Sequence, residues 1–208
     1  MKNIFLTILT LITSNFLLAQ EKDKTFNVMF SGIELYFESS DIWTADSVFS
    51  KTHKDSVVIE VGLGENLDNL KFKITKKELP NGLKVFEKYE TSISISDEGA
   101  HLDLLNWKHF YSEQKQLEIQ NGEFITDSIS KIDSQRFPIV STEEIKNQVI
   151  KVTGNADNKF YYRAIECKNA NGYPCYVSVS RRILTIEYMN NTGLKEHKVI
   201  IFNLPMGC

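Results

Sequence analysis

Past its first twenty residues the chain has no apolar run long enough to cross a bilayer, a passage that takes about 20 consecutive apolar residues. Nothing beyond that point reads as a transmembrane helix. Blocks of like charge are missing too, although the sequence holds 24 basic and 27 acidic residues. A nucleic-acid surface needs clustered lysine and arginine to neutralise phosphates, and docking on anionic lipid needs a polybasic patch. The even mixture of charges excludes both partners. The short motifs of enzyme chemistry are equally absent: no Gly-x-Ser-x-Gly elbow, no His-Glu-x-x-His, no phosphate-binding loop and no calcium-loop spacing. Gly62-Leu63-Gly64 follows a strand pattern. It lacks the third glycine of a dinucleotide fingerprint, and the segment after it reads as another strand rather than a helix. No cofactor and no metal is expected.

What is present begins with an address. Lys2 precedes a largely apolar stretch from Ile4 to Leu18, and Leu17-Leu18-Ala19 suits cleavage before Gln20. These are the n-region, h-region and small-residue site of a secretory signal. Residues 1–19 are expected to be removed, and the protein to be periplasmic or secreted. Thr7, Thr10, Thr13, Ser14 and Asn15 interrupt the stretch, and Glu21-Lys22-Asp23-Lys24 ends it, which disfavours a membrane anchor. A lipid-anchored form would need a cysteine at the cleavage point, whereas the first cysteine is Cys167. Without Lys2 the remainder carries 23 basic against 27 acidic residues, a net charge of −4. Residues 20–208 suit one β-rich domain, with a division near residues 133–142 as the alternative.

Three cysteines in an exported chain leave one over. Cys167 and Cys175 flank the turn sequence KNANGYP and are expected to form a disulfide across a hairpin. The absence of a Cys-x-x-Cys spacing makes that bond structural rather than redox-active. Cys208, the last residue, either pairs elsewhere, links two chains or stays free.

Period-two alternation dominates the rest. Residues 56–61, 70–74, 83–95, 159–167, 175–180, 183–189 and 196–204 read as strands. In the third of these Leu83, Val85, Tyr89, Ile93 and Ile95 share a face. Pro80-Asn81-Gly82, Asn121-Gly122, Asn171-Gly172 and Asn190-Asn191-Thr192-Gly193 supply turns of the kind that antiparallel hairpins need. Ser141-Thr142-Glu143-Glu144 forms a capping box, and Ile145, Val149 and Val152 make an apolar stripe before Gly154, so a helix is expected at 141–152. Residues 101–112 fit either a helix through Leu104, Trp107 and Tyr111 or continued strand. The expected fold is mainly β: an antiparallel sandwich or open barrel with one helix packed against it.

Candidate chemistry is sparse. His101 and Asp103 would share a strand face and supply half a metal site, but His109 lies about 26 Å further along a straight strand. His53, His101, His109 and His197 therefore read as surface histidines. Glu34, Glu38 and Asp41 gather near Tyr36, Phe37 and Trp43, an acidic loop beside a strand rather than a catalytic pair. In Phe160-Tyr161-Tyr162 strand geometry would turn Tyr161 away from its neighbours. Asp46-Ser47-Val48, Asp55-Ser56-Val57 and Asp127-Ser128-Ile129 repeat one triplet. It resembles the acceptor sequence of a general O-glycosylation system of exported bacterial proteins, which implies sugar on Ser47, Ser56 and Ser128. Asn190-Asn191-Thr192 also matches an N-glycosylation sequon. The reading that fits these features is an exported, non-catalytic binding or interaction module whose partner is a protein, a glycan or a small apolar ligand. A lipocalin-like carrier of an apolar ligand and a secreted hydrolase of polysaccharide or peptide are the alternatives.

Overall fold

The computed structural model describes residues 24–30, 33–39, 50–53, 55–62, 67–75 and 78–206, with side chains from residue 55 onward. The signal segment, Asp41, Trp43, Ser47, Leu63, Gly64 and Cys208 lie outside the described residues. So do the side chains of Glu34, Tyr36, Phe37, Glu38 and His53. The protein is mainly β, 42% strand against 16% helix, with a curled mixed sheet forming a half-barrel.

Four antiparallel strands form the smaller sheet, in the order β1 (Lys24–Phe30), β2 (Ile33–Ser39), β5 (Lys71–Thr75) and β10 (Glu123–Ile125). The larger sheet runs β3 (Ser50–His53), β4 (Ser56–Glu60), β12 (Lys195–Asn203), β11 (Cys175–Met189), β6 (Lys84–Asp97) and β7 (Ala100–Asp103). β8 (Phe110–Tyr111) and β9 (Lys115–Leu117) share the β7 edge of β6. All these pairs are antiparallel except β4 with β12, which is parallel. Within residues 101–112 only 101–103 and 110–111 are thus strand, joined by a turn and loop at 104–109, and no helix forms there. Pro80-Asn81-Gly82 does not close a hairpin, because β5 and β6 belong to different sheets; it carries the chain from one to the other.

Residues 175–180 and 183–189 form one long strand instead of two. Val179 pairs with Thr91 and Arg181 with Glu90, leaving Ser180 as an extra residue, a β-bulge. An extra residue shifts the period of two by one. Cys175 and Val177 before the bulge therefore share a face with Arg182, Leu184, Ile186 and Tyr188 after it. That face carries two apolar cores. One sets Val85, Leu184, Ile186, Ile200 and Phe202 against Phe72 and Phe124 of the smaller sheet. The other sets Ile93, Ile95, Cys175 and Val177 against residues of two helices. Each fully buried side chain of this kind contributes about 1.5–3 kcal/mol.

Among the described residues three helices form where the sequence signals one: α1 (Lys131–Ser134), α2 (Thr142–Thr153) and α3 (Lys159–Glu166). α2 matches its capping box, with Ser141 Oγ accepting from Glu144 N and the Glu144 carboxylate accepting from Ser141 N. Gly154 closes it in the left-handed conformation. Ile145, Gln148 and Val149 face the core, while Val152 stays exposed. α3 replaces the strand expected at 159–167. Asn158 caps it by accepting from Tyr161 N, and Phe160, Ala164 and Cys167 fall at helical spacing on the core. Lys159 and Arg163, one turn apart, both pair with Asp97 at the end of β6. The Cys167–Cys175 disulfide is present, with its Cα atoms 5.6 Å apart. It joins the C-cap of α3 to the start of β11 rather than bridging a hairpin.

Glu144 also anchors α2 to the loop that joins β7 to β8. Lys108 Nζ lies 2.6 Å from its carboxylate, and that ammonium, together with the Ser141 hydrogen bonds, holds the carboxyl down to about 2. A carboxyl depressed in the folded state stabilises above its usual value of 4.5, and the contribution disappears as pH falls through about 2. The thermal midpoint is therefore expected to drop between these limits, and Glu144→Gln to flatten part of that drop; an unchanged slope in the variant would remove Glu144 from the anchor. Replacing Cys167 and Cys175 together by alanine opens a loop of separation 8. It is expected to lower unfolding free energy by about 2.5 kcal/mol, measured by urea denaturation.

Candidate functional site

Asn121 and Gly122 both take positive φ, 53° and 82°, the geometry of a two-residue hairpin turn. Gln120 and Glu123 on either side exchange both backbone hydrogen bonds at 2.9 Å. A regular hairpin would continue this pairing, but here the two arms separate at once. β9 pairs with β6 through Val85–Leu117 and Glu87–Lys115, whereas β10 pairs with β5 through Phe72–Phe124. The turn is the corner at which the two sheets meet, and beyond it they form a fork.

Strand alternation fixes which backbone groups face into that fork. On β6, Tyr89 and Ile93 turn their carbonyls toward the β7–β9 edge, where they accept from Ser112 N and Leu104 N. Val85 and Glu87, in phase with them, therefore bond Leu117 and Lys115, and Gln116 and Glu118 turn the other way. On the opposite arm Gly122 O accepts from Ile74 N, and Thr126 N donates to Leu70 O. Even-numbered residues there serve β5, and Ile125 faces into the fork. The N–H and C=O groups of Gln116, Glu118 and Ile125 have no protein partner among the described residues. Between the arms lies an open groove of about 570 Å³, with Leu117 and Phe124 among its lining.

Two of the acids of this groove are held by cations and the third by an amide. Glu123 sits 2.6 Å from Lys71 and 3.6 Å from Lys73, and the Lys71 hydrogen bond keeps its carboxyl below the usual range. Lys115 lies 2.5 Å from Asp127, which raises the lysine. Glu118 accepts from Gln120 Nε2.

The inner end of the fork rests on a buried charge cluster. Arg182 is fully buried. Its guanidinium reaches Asp68, Glu87 at 2.8 Å, and the carbonyls of Leu67 and Asp127 at 3.0 and 2.8 Å. Glu87 in turn accepts from Asp127 N at 2.9 Å. Thr126 Oγ1 donates to Leu67 O and accepts from Leu70 N. Asp127, the next fork-facing position after Ile125, is thus bonded by side chains of the larger sheet instead of by a strand. Burial pushes the Glu87 carboxyl up further than the Arg182 guanidinium and the Asp127 N–H pull it down.

The expected site residues are scattered. His101 Nδ1 and Asp103 meet at 2.8 Å, and Ser94 donates to the same carboxylate at 2.6 Å. His109 is elsewhere: its Nδ1 lies 3.0 Å from Ser92 Oγ and 3.3 Å from Thr91 O. Ser92 is fully buried and also bonds Ser180 at 2.8 Å, so its hydroxyl has no approach for a substrate. His197 stands exposed on β12. No group of three metal-ligating side chains gathers among the described residues. Tyr161 lies on α3, so the strand-face argument for it falls away. Ser56 is half-buried in β4 between β3 and β12, and Ser128 is exposed in an extended segment. Asn190 of the sequon caps its own turn, accepting from Thr192 and Leu194 and donating to Glu196.

A larger open groove of about 880 Å³ lies between residues 78–81 and the β11–β12 turn. Part of its backbone is engaged, with Met189 N bonded to Asn81 O and Asn190 N to Leu194 O. The cluster on Arg182 escaped sequence reasoning, although a signal existed. Glu87 is in phase with Val85, and Arg182 with Leu184 and Ile186, so both charges occupy core-facing positions of strands.

No protein-family model matches this chain, and a search of curated proteins returns no relative.

Removing one member of a buried charge cluster leaves the rest uncompensated, at about 3–5 kcal/mol. Glu87→Leu is expected to lose stability of that order in urea denaturation and to release the Asp127 N–H to exchange. A loss below about 1 kcal/mol, the net worth of an ordinary hydrogen bond, would show that Asp68 alone balances Arg182.

Proposed function

We propose that the protein is an exported, non-catalytic binding module whose partner docks in the groove at the corner of the two sheets. The observation that carries this reading is the pairing inside the groove: Glu123, Asp127 and Glu118 are each bonded to a neighbouring side chain, while backbone groups stay open. General acid–base chemistry needs a titratable group free to exchange a proton with substrate. Among the described residues the acids and lysines lining the groove are all bonded, while the backbone groups of Gln116, Glu118 and Ile125 stay open, which suits recognition.

The Cys167–Cys175 bond supports the export part. No described helix is long and apolar enough to cross a membrane, which is compatible with it. The apolar-carrier alternative is less favoured, because the rings of Phe72, Phe124 and Phe202 occupy the space between the sheets, stacked or tilted at 5.2 and 5.9 Å. A hydrolase is less favoured for the reason given for Ser92. The Asp-Ser-aliphatic triplets add a proposed modification. Ser128 is the exposed one of the two described positions, so a glycan is expected on Ser128 before Ser56.

Two measurements check the reading. Intact mass of protein exported with its own N-terminus should begin near Gln20, change by two hydrogens on reduction of one disulfide, and carry any hexose on the peptide holding Ser128. Turnover of chromogenic esters, glycosides and peptide anilides should not exceed that of Glu87→Gln or His109→Ala variants. Turnover lost in either variant would establish the hydrolase instead.

A further inference from the structure

We infer that the open stretch of the fork accepts an extended polypeptide segment as an added β-strand, an inference that rests on the binding reading above and names its partner class. Gln116 and Glu118 present backbone N–H and C=O groups on one arm, two residues apart, a spacing of about 6.6–6.8 Å along a strand. Ile125 presents the same pair of groups from the other arm. Donor and acceptor recurring together at that repeat are matched by another extended backbone, which offers the same two groups with the same period. A sugar or an apolar ligand has no such repeat.

The surroundings agree with a strand. Leu117 and Phe124 are buried beside the groove, and Ile125 is 53% exposed on its rim. These give alternate side chains of an incoming segment an apolar surface. Natural sheets guard open edges with proline, bulges or charged side chains. The run from Lys115 to Asp127 contains no proline; of its charges Lys115 pairs with Asp127 and Glu123 with Lys71 and Lys73, and Glu118 accepts from the Gln120 amide. The Gln120–Glu123 pair closes one end of the open stretch, and the bonds that Arg182 and Glu87 make to Asp127 mark the other. The added strand is therefore short and makes its backbone bonds to Gln116, Glu118 and Ile125.

The test uses the full chain and two probes: an acetylated, amidated hexapeptide of alternating threonine and valine, and the same peptide N-methylated at alternate amides. Amide hydrogen exchange is read by NMR. The unmodified peptide is expected to slow exchange at Gln116, Glu118 and Ile125, and the methylated one to leave all three unchanged. Ile125→Pro removes a fork-facing N–H without touching the Phe124 bonds to β5, a place where an edge strand tolerates proline. It should weaken the peptide about tenfold, while Ile125→Ala, which keeps the N–H, weakens it less. Equal loss in both variants overturns the strand reading. If both peptides shift Leu117 and Phe124 side-chain resonances without protecting an amide, the partner is held by side chains; that outcome overturns the strand and leaves the binding reading standing. Protection that appears without peptide and rises with protein concentration names a second copy as the occupant and overturns a foreign strand. No response from either peptide also overturns it, and the turnover assay then decides the binding reading separately.

Discussion

The two sheets are held in their relation by one fully buried cation. Arg182 belongs to β11 of the larger sheet, and its guanidinium bonds the Leu67 and Asp127 carbonyls, which lead into and out of the smaller one. A charge of this kind in a protein interior costs several kcal/mol in lost hydration and survives only with close partners. Asp68 and Glu87 supply them. The Ser180 bulge is a precondition. Without the extra residue Arg182 would fall on the opposite face of the sheet, and Leu184, Ile186 and Tyr188 would leave the core with it. The Ser180 carbonyl is itself engaged, accepting from Leu204 N.

Placement matters as much as pairing. Along the inner face of β6 and β11 the order runs from the core on Phe72 and Phe124, through Glu87, Arg182 and Thr91, to the core on Ile145, Val149 and Ala164. A polar belt thus separates two apolar cores built on the same pair of long strands. Thr91 serves the belt as Arg182 does, by donating to a loop carbonyl, Arg136 O, at 2.6 Å. The loops that cross between the sheets or cover their faces are bonded here, at a line that apolar side chains would leave undetermined.

This belt explains what the sequence disclosed and what it withheld. Local rules read well: the capping box at Ser141, the positive-φ turn at Asn121-Gly122, the Cys167–Cys175 pairing and the alternation of β4, β5, β6 and β12. Period-two reading failed where a second spacing was superimposed. Phe160-Tyr161-Tyr162 looks like alternation until Ala164 and Cys167 are counted at helical intervals. Arg181-Arg182 looks like a break between strands because two adjacent charges seldom sit inside one, yet Arg181 pairs with Glu90 on one face and Arg182 with Glu87 on the other. Pro80-Asn81-Gly82 reads as a hairpin because turn chemistry says how the chain reverses, not which sheet it rejoins. The fork itself depends on β9 and β10 choosing different neighbours, a long-range competition that no local pattern encodes.

The buried charge and the open groove are linked through Asp127. Replacing Arg182 and its carboxylates by well-packed apolar residues would be neutral or stabilising by general experience with such clusters, so stability is a weak reason for their presence. An apolar replacement would, however, release the Asp127 carbonyl and N–H, two positions beyond Ile125. β10 has only three residues in its ladder with β5, and a strand that short would fray at the free end. Ordering a frayed edge at the moment of binding subtracts directly from affinity. With Asp127 gripped from beneath and Glu123 fixed by Gln120, Ile125 is held between two anchored neighbours and its outward groups are aimed in advance. The cluster therefore does for the groove what hydrophobic packing cannot: it fixes particular backbone atoms, and it does so from the interior, away from the fork-facing groups of Ile125, which have no protein partner among the described residues.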